Sequence, residues 1–283
     1  MARPKKSFVA ETEAPPVNPN LATQLKPKTT IADLVVMSQS CTSLLEQVRA
    51  TIMNPLPRKE APLFTTSEVC EVLGFDRKEL KSAEGSLGVS LGQVLPGENQ
   101  KTYQLEEVIQ LVQMLGFGVA RPEGKPGKVL TIASYKGGVG KTTTSITIAQ
   151  GLTLRGLKVL LIDLDAQGSA THMVGISPEL EVEADATVMP YFYGDQDDLL
   201  YAPIKTYWHN LDLIPATSCL LSAEYQFAAE LAEDHSLPFW TVLNKGLGGL
   251  REYYDAIVID CPPSLSFITQ NAIFAADGIL APC

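Results

Sequence analysis

The chain has 283 residues, of which 45% are hydrophobic, and it carries a formal net charge of −10. This length predicts about two domains, and no apolar run approaches the roughly 18 residues that a membrane-spanning helix needs. No apolar signal-peptide core follows the basic residues near the N-terminus, so we expect a protein of the cytoplasm. The five cysteines are widely spaced and include no C-x-x-C pair, which argues against a disulfide framework or a zinc site.

The charges are distributed unevenly along the chain. Residues 1–128 hold 15 basic and 14 acidic side chains, a net charge of +1, whereas residues 129–283 hold 7 and 18, a net charge of −11. Because DNA phosphates attract cations, we expect any DNA contact to come from the N-terminal part or from residues beyond this chain.

The first 53 residues predict a tail followed by a helix. Residues 1–28 are polar and proline-rich, which is typical of a disordered tail. Residues 30–53 predict one helix, because apolar side chains recur at spacings of three and four and Thr30 with Asp33 can cap its start. The apolar stripe leaves two roles open: docking onto the rest of the chain, or dimerisation.

Residues 60–120 predict a small winged helix-turn-helix domain. Two capping-box patterns, Thr65 with Glu68 and Asp76 with Glu79, flank Gly74 and indicate two short helices joined by a tight turn. A hairpin with a Pro-Gly turn follows in the position of a wing, and an amphipathic helix comes after it.

The second short helix and the wing carry the candidate DNA contacts Arg77, Lys78, Lys81 and Lys101. Several glutamates in the same stretch weaken its basic character, so a plain helical hairpin with a charged outer face stays open. Residues 121–128 are rich in proline and glycine and predict a linker.

From residue 129 onwards, strands alternate with helices. This alternation predicts an α/β domain with a doubly wound, mostly parallel sheet. Continuous apolar runs over residues 157–163, 211–215 and 254–260 predict strands that are buried on both faces. Ligands bind such sheets at the carboxyl ends of the strands.

A glycine-rich loop joins the first of these strands to a helix, and its residues are Lys136, Gly137, Gly138, Val139, Gly140, Lys141, Thr142 and Thr143. Glycines let backbone N–H groups approach an anion closely, and the following helix presents its free N–H groups to the same anion. Lys141 is placed to reach the phosphates and the Thr142 hydroxyl to bind Mg²⁺. Tyr135 stands where the strict phosphate-loop pattern has its first glycine.

Three aspartates stand at the ends of two predicted strands. Asp260 can hold Mg²⁺ directly or through water, beside the Thr142 hydroxyl. Asp163 and Asp165 end the neighbouring strand, where one can orient an attacking water while the other, Asp163, supports the ligands around the metal ion without contacting the ion itself.

Three motifs in order resemble the deviant Walker A ATPases of the ParA/MinD class: Lys136–Thr143, Leu161–Gly168 and Val258–Ser264. Residues 30–115 look like the N-terminal helix and winged helix-turn-helix of the larger ParA proteins, which partition low-copy plasmids. The resemblance implies a P-loop NTPase fold over residues 129–283, with ATP and Mg²⁺ as cofactors.

The resemblance also implies roles for single residues. Lys136 matches the signature lysine, which reaches the partner's nucleotide across an ATP-sandwiched homodimer. Asp165 matches the aspartate needed for hydrolysis, Asp163 its neighbour in the switch region, and Asp260 the Walker B residue. Lys141 and Thr142 match the phosphate and Mg²⁺ residues.

The partners implied by the resemblance are DNA and a ParB-like protein. The resemblance to the larger ParA proteins implies nonspecific binding to nucleoid DNA as an ATP dimer in the bacterial cytoplasm, and we expect no membrane partner. A ParB-like centromere-binding protein stimulates hydrolysis, and the larger forms repress their own operon by binding its operator.

Two other functions stay open. A MinD-like positioning ATPase needs a C-terminal amphipathic helix, which this chain does not have, and leaves residues 64–103 without a role. A DNA-binding regulator that no longer hydrolyses ATP is the second. Residues 271–283 predict a helix leading into another core strand, where family members continue, so we expect a fragment or a truncated reading frame.

Overall fold

A computed structural model describes residues 30–52, 59–97 and 99–283, so the predicted tail over residues 1–28 lies outside the described residues. The protein divides into two compact units, Met1–Leu56 and Pro57–Cys283.

The first unit contributes the helix α1 (Ile31–Ile52), as predicted. Asp33 Oδ2 accepts hydrogen bonds from the Thr30 backbone N–H at 2.8 Å and from the Thr30 hydroxyl at 2.7 Å. This confirms the predicted cap. No helix among the described residues, α1 included, combines the length and the apolar character that a membrane crossing requires.

The second unit begins with a helical part whose elements are β1 (Phe64–Thr65), α2 (Thr66–Leu73), α3 (Arg77–Leu87), β2 (Gln93–Val94), β3 (Lys101–Tyr103) and α4 (Leu105–Met114). Both predicted capping boxes are formed, at Thr65 and at Asp76. Gly74 ends α2 with a φ of 71°, a left-handed conformation that glycine adopts readily. The strands pair antiparallel in the order β1-β3-β2, which confirms the predicted hairpin.

The rest of the unit is a sheet with helices on its faces. Its strands are β4 (Lys128–Ile132), β5 (Val159–Asp163), β6 (Ile204–Lys205), β7 (Leu211–Ile214), β8 (Ala256–Asp260) and β9 (Gly278–Leu280). Its helices are α5 (Lys141–Leu154), α6 (Ser169–Met173), α7 (Met189–Phe192), α8 (Leu221–Glu233), α9 (Val242–Gly246), α10 (Gly248–Tyr253) and α11 (Phe267–Ala275).

The strand order is β6-β7-β5-β8-β4-β9, and every pairing is parallel except that of β6 with β7. All residues of β5 and β8 are buried, because helices cover both faces of the sheet. This is the predicted α/β fold of a P-loop NTPase, with β5, β8 and β4 at its centre.

The helical part shares its core with the sheet. Leu105 and Ile109 on α4 are buried in the same cluster as Ile146 and Ala149 on α5, the helix that follows the glycine-rich loop. The composition of residues 121–128 predicts a linker between two domains. Pro57–Cys283 is instead one compact unit, so these residues lie inside it.

Arg121 shows how the predicted linker is fastened. Its guanidinium donates to the backbone oxygens of Arg251 at 2.7 Å, Glu252 at 2.9 Å and Tyr254 at 3.2 Å. These carbonyls stand at the C-terminal end of α10, where a helix leaves acceptors unsatisfied and favours a cation. A side chain inside the linker therefore caps a helix more than 120 residues away in sequence.

Candidate active site

The glycine-rich loop and the three aspartates meet at one edge of the sheet. Asp163 and Asp260 are register partners on β5 and β8, and Ile132, the last residue of β4, pairs with Asp260 on its other side. The loop leaves the sheet just after Ile132. This arrangement confirms the prediction that these residues lie together at the carboxyl ends of the strands.

The loop has the backbone of an anion cradle. Gly138 and Gly140 have φ values of 72° and 82°, which a side chain would strain, and Gly140 forms the N-cap of α5. A Cβ added at Gly137, Gly138 or Gly140 would meet nothing within 4 Å, so the space over these residues is open. The free N–H groups of α5 therefore point towards a site that a phosphate can enter.

The two lysines of the loop differ in their surroundings. Lys141 is only 8% exposed, and its Nζ donates to the backbone oxygen of Lys136 at 3.1 Å. The Lys136 side chain is exposed, as are Tyr135 and Thr143. The loop thus keeps one ammonium inside and one pointing outwards.

Asp260 is fully buried, and one of its two carboxylate oxygens accepts a hydrogen bond. Its Oδ1 accepts a hydrogen bond from the Ser145 hydroxyl at 2.8 Å, and among the described residues its buried Oδ2 has no hydrogen-bond partner. Burial raises the pKa of Asp260 to about 6, although the nearby hydroxyls of Thr142 and Ser145 act in the opposite direction. A buried carboxylate oxygen without a hydrogen-bond partner is costly, and coordination of a cation would offset that cost.

These residues fit a magnesium nucleotide. The unpaired Asp260 oxygen and the Thr142 hydroxyl supply hard oxygen ligands, Lys141 supplies a cation for phosphates, and the loop N–H groups supply donors. When bound, Mg²⁺ neutralises charge on the phosphates. Asp165, which is partly exposed nearby, keeps its carboxylate at the rim, where Oδ1 accepts the Gln167 N–H at 3.0 Å.

Asp163 lies at the end of β5 and is bonded to the loop that follows it. Its Oδ2 accepts the N–H and the hydroxyl of Thr171, both at 2.8 Å, and its Oδ1 accepts the Asp165 N–H at 3.1 Å. Burial raises its pKa to about 7 against these hydrogen bonds. Both oxygens of Asp163 are bonded within the chain, so this side chain organises the loop that carries Asp165, and its support of the ligands around a metal ion stays a prediction.

The candidate DNA contacts fall into two groups. Arg77 and Lys101 line one open groove of about 750 Å³ between α3 and the hairpin, whereas Lys78 and Lys81 are exposed on α3. Arg77 donates to the Ser67 hydroxyl at 2.9 Å.

Lys101 is held within the chain. Its Nζ bonds both carboxylate oxygens of Glu84, at 2.9 and 3.1 Å. The whole stretch 60–120 holds 4 basic and 9 acidic residues, a net charge of −5, so its overall charge does not favour DNA phosphates.

Sequence reasoning missed two residues of the site, Ser145 and Thr171. Ser145 lies one helical turn after Lys141, so the helical period alone places it on the side of α5 that faces β8. Thr171 carries no comparable signal, because its contact with Asp163 depends on the turn taken by residues 164–170.

A family model described as AAA domain matches residues 127–283, more than half of the chain. The chain belongs to this family. Together with the three motifs and the sheet described above, this places it among the P-loop ATPases of the ParA/MinD class.

Curated relatives extend the similarity into the helical part. The chain is 32% identical over 235 residues to protein SopA of Escherichia coli strain K12, covering 81% of this chain and 60% of SopA. It is 38% identical over 158 residues to the sporulation initiation inhibitor protein Soj of Bacillus subtilis strain 168, covering 55% of this chain and 58% of Soj. The chain thus spans about 60% of the length of these relatives.

Solved structures of similar sequence include the McdA–ATP complex of Cyanothece, with 33% identity, a TM-score of 0.49, and coverage of 56% of this chain and 57% of McdA. A plasmid partition protein of Borrelia burgdorferi has 34% identity and a TM-score of 0.44 over 56% of this chain and 65% of that protein.

Proposed function

We propose that this chain is the ATP-binding and DNA-binding part of a partitioning ATPase, which binds ATP with Mg²⁺, closes into a homodimer and releases DNA when ATP is hydrolysed. The observation that carries this proposal is the buried Oδ2 of Asp260, which has no hydrogen-bond partner in the part of the chain that the structure describes and lies beside the open glycine loop. A carboxylate oxygen is a ligand that Mg²⁺ prefers and the N–H groups of a glycine loop suit a phosphate, so a magnesium nucleotide fits both features.

Hydrolysis is assigned to two residues at the rim. Asp165 orients the attacking water, because its carboxylate lies on the loop after β5 at the same edge as Asp260. Lys136 completes the site of a second copy, and its exposed side chain, next to the buried Lys141, supports that role. Each protomer then supplies one inward and one outward lysine.

DNA binding and partner control complete the proposal. Arg77, Lys78 and Lys81 contact operator DNA, and repression of the protein's own operon follows from that contact. Nonspecific binding to nucleoid DNA and stimulation by a ParB-like protein accompany the ATP-bound dimer. The relatives SopA and Soj and the three ParA-type motifs support this reading.

A pair of lysine variants tests the proposal. Lys141→Ala removes the buried ammonium from the loop and is expected to abolish ATP binding in calorimetry. Lys136→Ala removes the exposed one and is expected to leave ATP binding within about twofold while abolishing ATP-dependent dimerisation and hydrolysis.

The two lysines are five residues apart on one loop, so each variant controls for the other. Unchanged ATP affinity in Lys141→Ala would refute the assignment of the loop. Normal ATP-dependent dimerisation of Lys136→Ala would refute the dimeric switch.

A further inference from the structure

One buried threonine closes the loop that carries Asp165. Thr171 lies on α6 and is fully buried, as is Asp163 at the end of β5. A single oxygen, Asp163 Oδ2, accepts both the backbone N–H and the hydroxyl of Thr171 at 2.8 Å. The ends of the intervening loop are therefore joined by one carboxylate.

The same hydroxyl reaches a third element. Thr171 Oγ1 accepts the backbone N–H of Ala216 at 3.0 Å, just after the end of β7. A hydroxyl has one proton and two lone pairs; since its proton goes to Asp163, its oxygen is free to accept from Ala216. This side chain thus connects the end of β5, helix α6 and the segment that follows β7.

The loop between Asp163 and Thr171 has little freedom left. Asp163 Oδ1 accepts the Asp165 N–H at 3.1 Å, and the Asp165 carbonyl accepts the Gly168 N–H at 2.8 Å. Gly168 has a φ of 62°, and a Cβ there would meet Pro178 at 2.6 Å. Hydrogen bonds to Asp163 and Thr171 therefore fix the path of the backbone after β5 and, with it, the position of Asp165.

We propose that Thr171 is a positioning residue for ATP hydrolysis: its hydroxyl, held between Asp163 and the Ala216 N–H, fixes the loop that presents Asp165 to the phosphate loop. This inference rests on the proposed function. In this proposal Asp165 acts on the attacking water, whereas Thr171 only fixes the position of Asp165 and has no contact with the nucleotide. A displacement of about 1 Å at a reacting group costs on the order of a hundredfold in rate, so the effect should fall on turnover.

Two matched variants test the role of the hydroxyl. Thr171→Val keeps the shape of the side chain and removes the hydroxyl, whereas Thr171→Ser keeps the hydroxyl and removes a methyl group. We expect Thr171→Val to lower kcat by at least about tenfold with KM and ATP affinity within about twofold, and Thr171→Ser to stay within about threefold of the wild type. Equal turnover in Thr171→Val and the wild type, or equal damage in both variants, would overturn the proposal.

Amide hydrogen exchange supplies a readout that needs no turnover. In Thr171→Val, peptides that cover residues 164–170 should exchange at least about tenfold faster, while the β2–β3 hairpin keeps its rate and shows that the fold is intact. Unchanged exchange in residues 164–170 would contradict the proposal. A wild-type chain that binds no ATP would overturn the proposed function instead, and the exchange result would still decide whether Thr171 holds the loop.

Discussion

The contact between α4 and α5 predicts that the helical part (residues 60–120) and the ATPase part (residues 129–283) unfold together. Ile109 on α4 is 2% exposed and belongs to the cluster that contains Ile146 and Ala149 of α5. Ile109→Ala removes three carbons, worth roughly 2.4 kcal/mol at about 0.8 kcal/mol per methylene, and leaves a cavity. The expected loss of stability is about 3 kcal/mol, which lowers Tm by roughly 6–12 °C for a unit of this size.

Tryptophan fluorescence makes this a test of coupling, because both tryptophans, Trp208 and Trp240, lie in the ATPase part. Thermal unfolding of Ile109→Ala should shift the fluorescence midpoint and the far-UV circular dichroism midpoint by the same amount. Val94→Ala, at an exposed position in the hairpin, is the control and should change stability by less than about 0.5 kcal/mol. An unchanged fluorescence midpoint with an earlier transition in circular dichroism would refute the coupling and restore two independent domains.

Two further predictions concern charge. Burial alone would raise the pKa of Asp277, but hydrogen bonds from the Val129 N–H, Lys128 and Arg251 hold it at about 2. The resulting stabilisation is full above the unfolded pKa near 4 and is lost as the pH falls through the folded pKa of about 2. Asp277→Asn should therefore cost about 1 kcal/mol at pH 7 and only a small fraction of that at pH 2 in denaturant titrations; an equal cost at both values would contradict this. Arg77→Ala combined with Lys81→Ala should weaken operator binding by at least about tenfold at fixed salt while ATP affinity stays unchanged, and a surviving operator footprint would rule out α3 as the DNA-contacting helix.

Much of the fold could be predicted from short stretches of the sequence. The capping boxes at Thr65 and Asp76 are formed because both partners lie within three residues of each other, so the chain needs no distant contact to build them. The parallel strands were predictable for a similar reason, since burial on both faces leaves continuous apolar runs. The end residues Asp163 and Asp260 then fall at one edge by topology alone.

Contacts between distant residues were beyond the sequence pattern. Proline and glycine in residues 121–128 predict a linker, but nothing local shows that Arg121 caps α10. The sequence predicts that Lys101 is a free cation, whereas in the fold the Glu84 carboxylate lies 2.9 Å from its Nζ. The bond between Asp163 and Thr171 was hidden for the same reason, because the turn after β5 brings Thr171 back to the Asp163 carboxylate.

The most direct test of the account is the Mg²⁺ dependence of ATP binding in the wild type and in Asp260→Asn, measured by calorimetry with and without the metal ion. Asparagine matches the shape of the aspartate and can keep the Ser145 contact, but it removes the unpaired anionic oxygen. We predict that Mg²⁺ tightens ATP binding in the wild type and that Asp260→Asn loses at least about tenfold of that gain. Equal Mg²⁺ dependence in both proteins, or no ATP binding by the wild type, would contradict the assignment of this edge of the sheet as a magnesium nucleotide site.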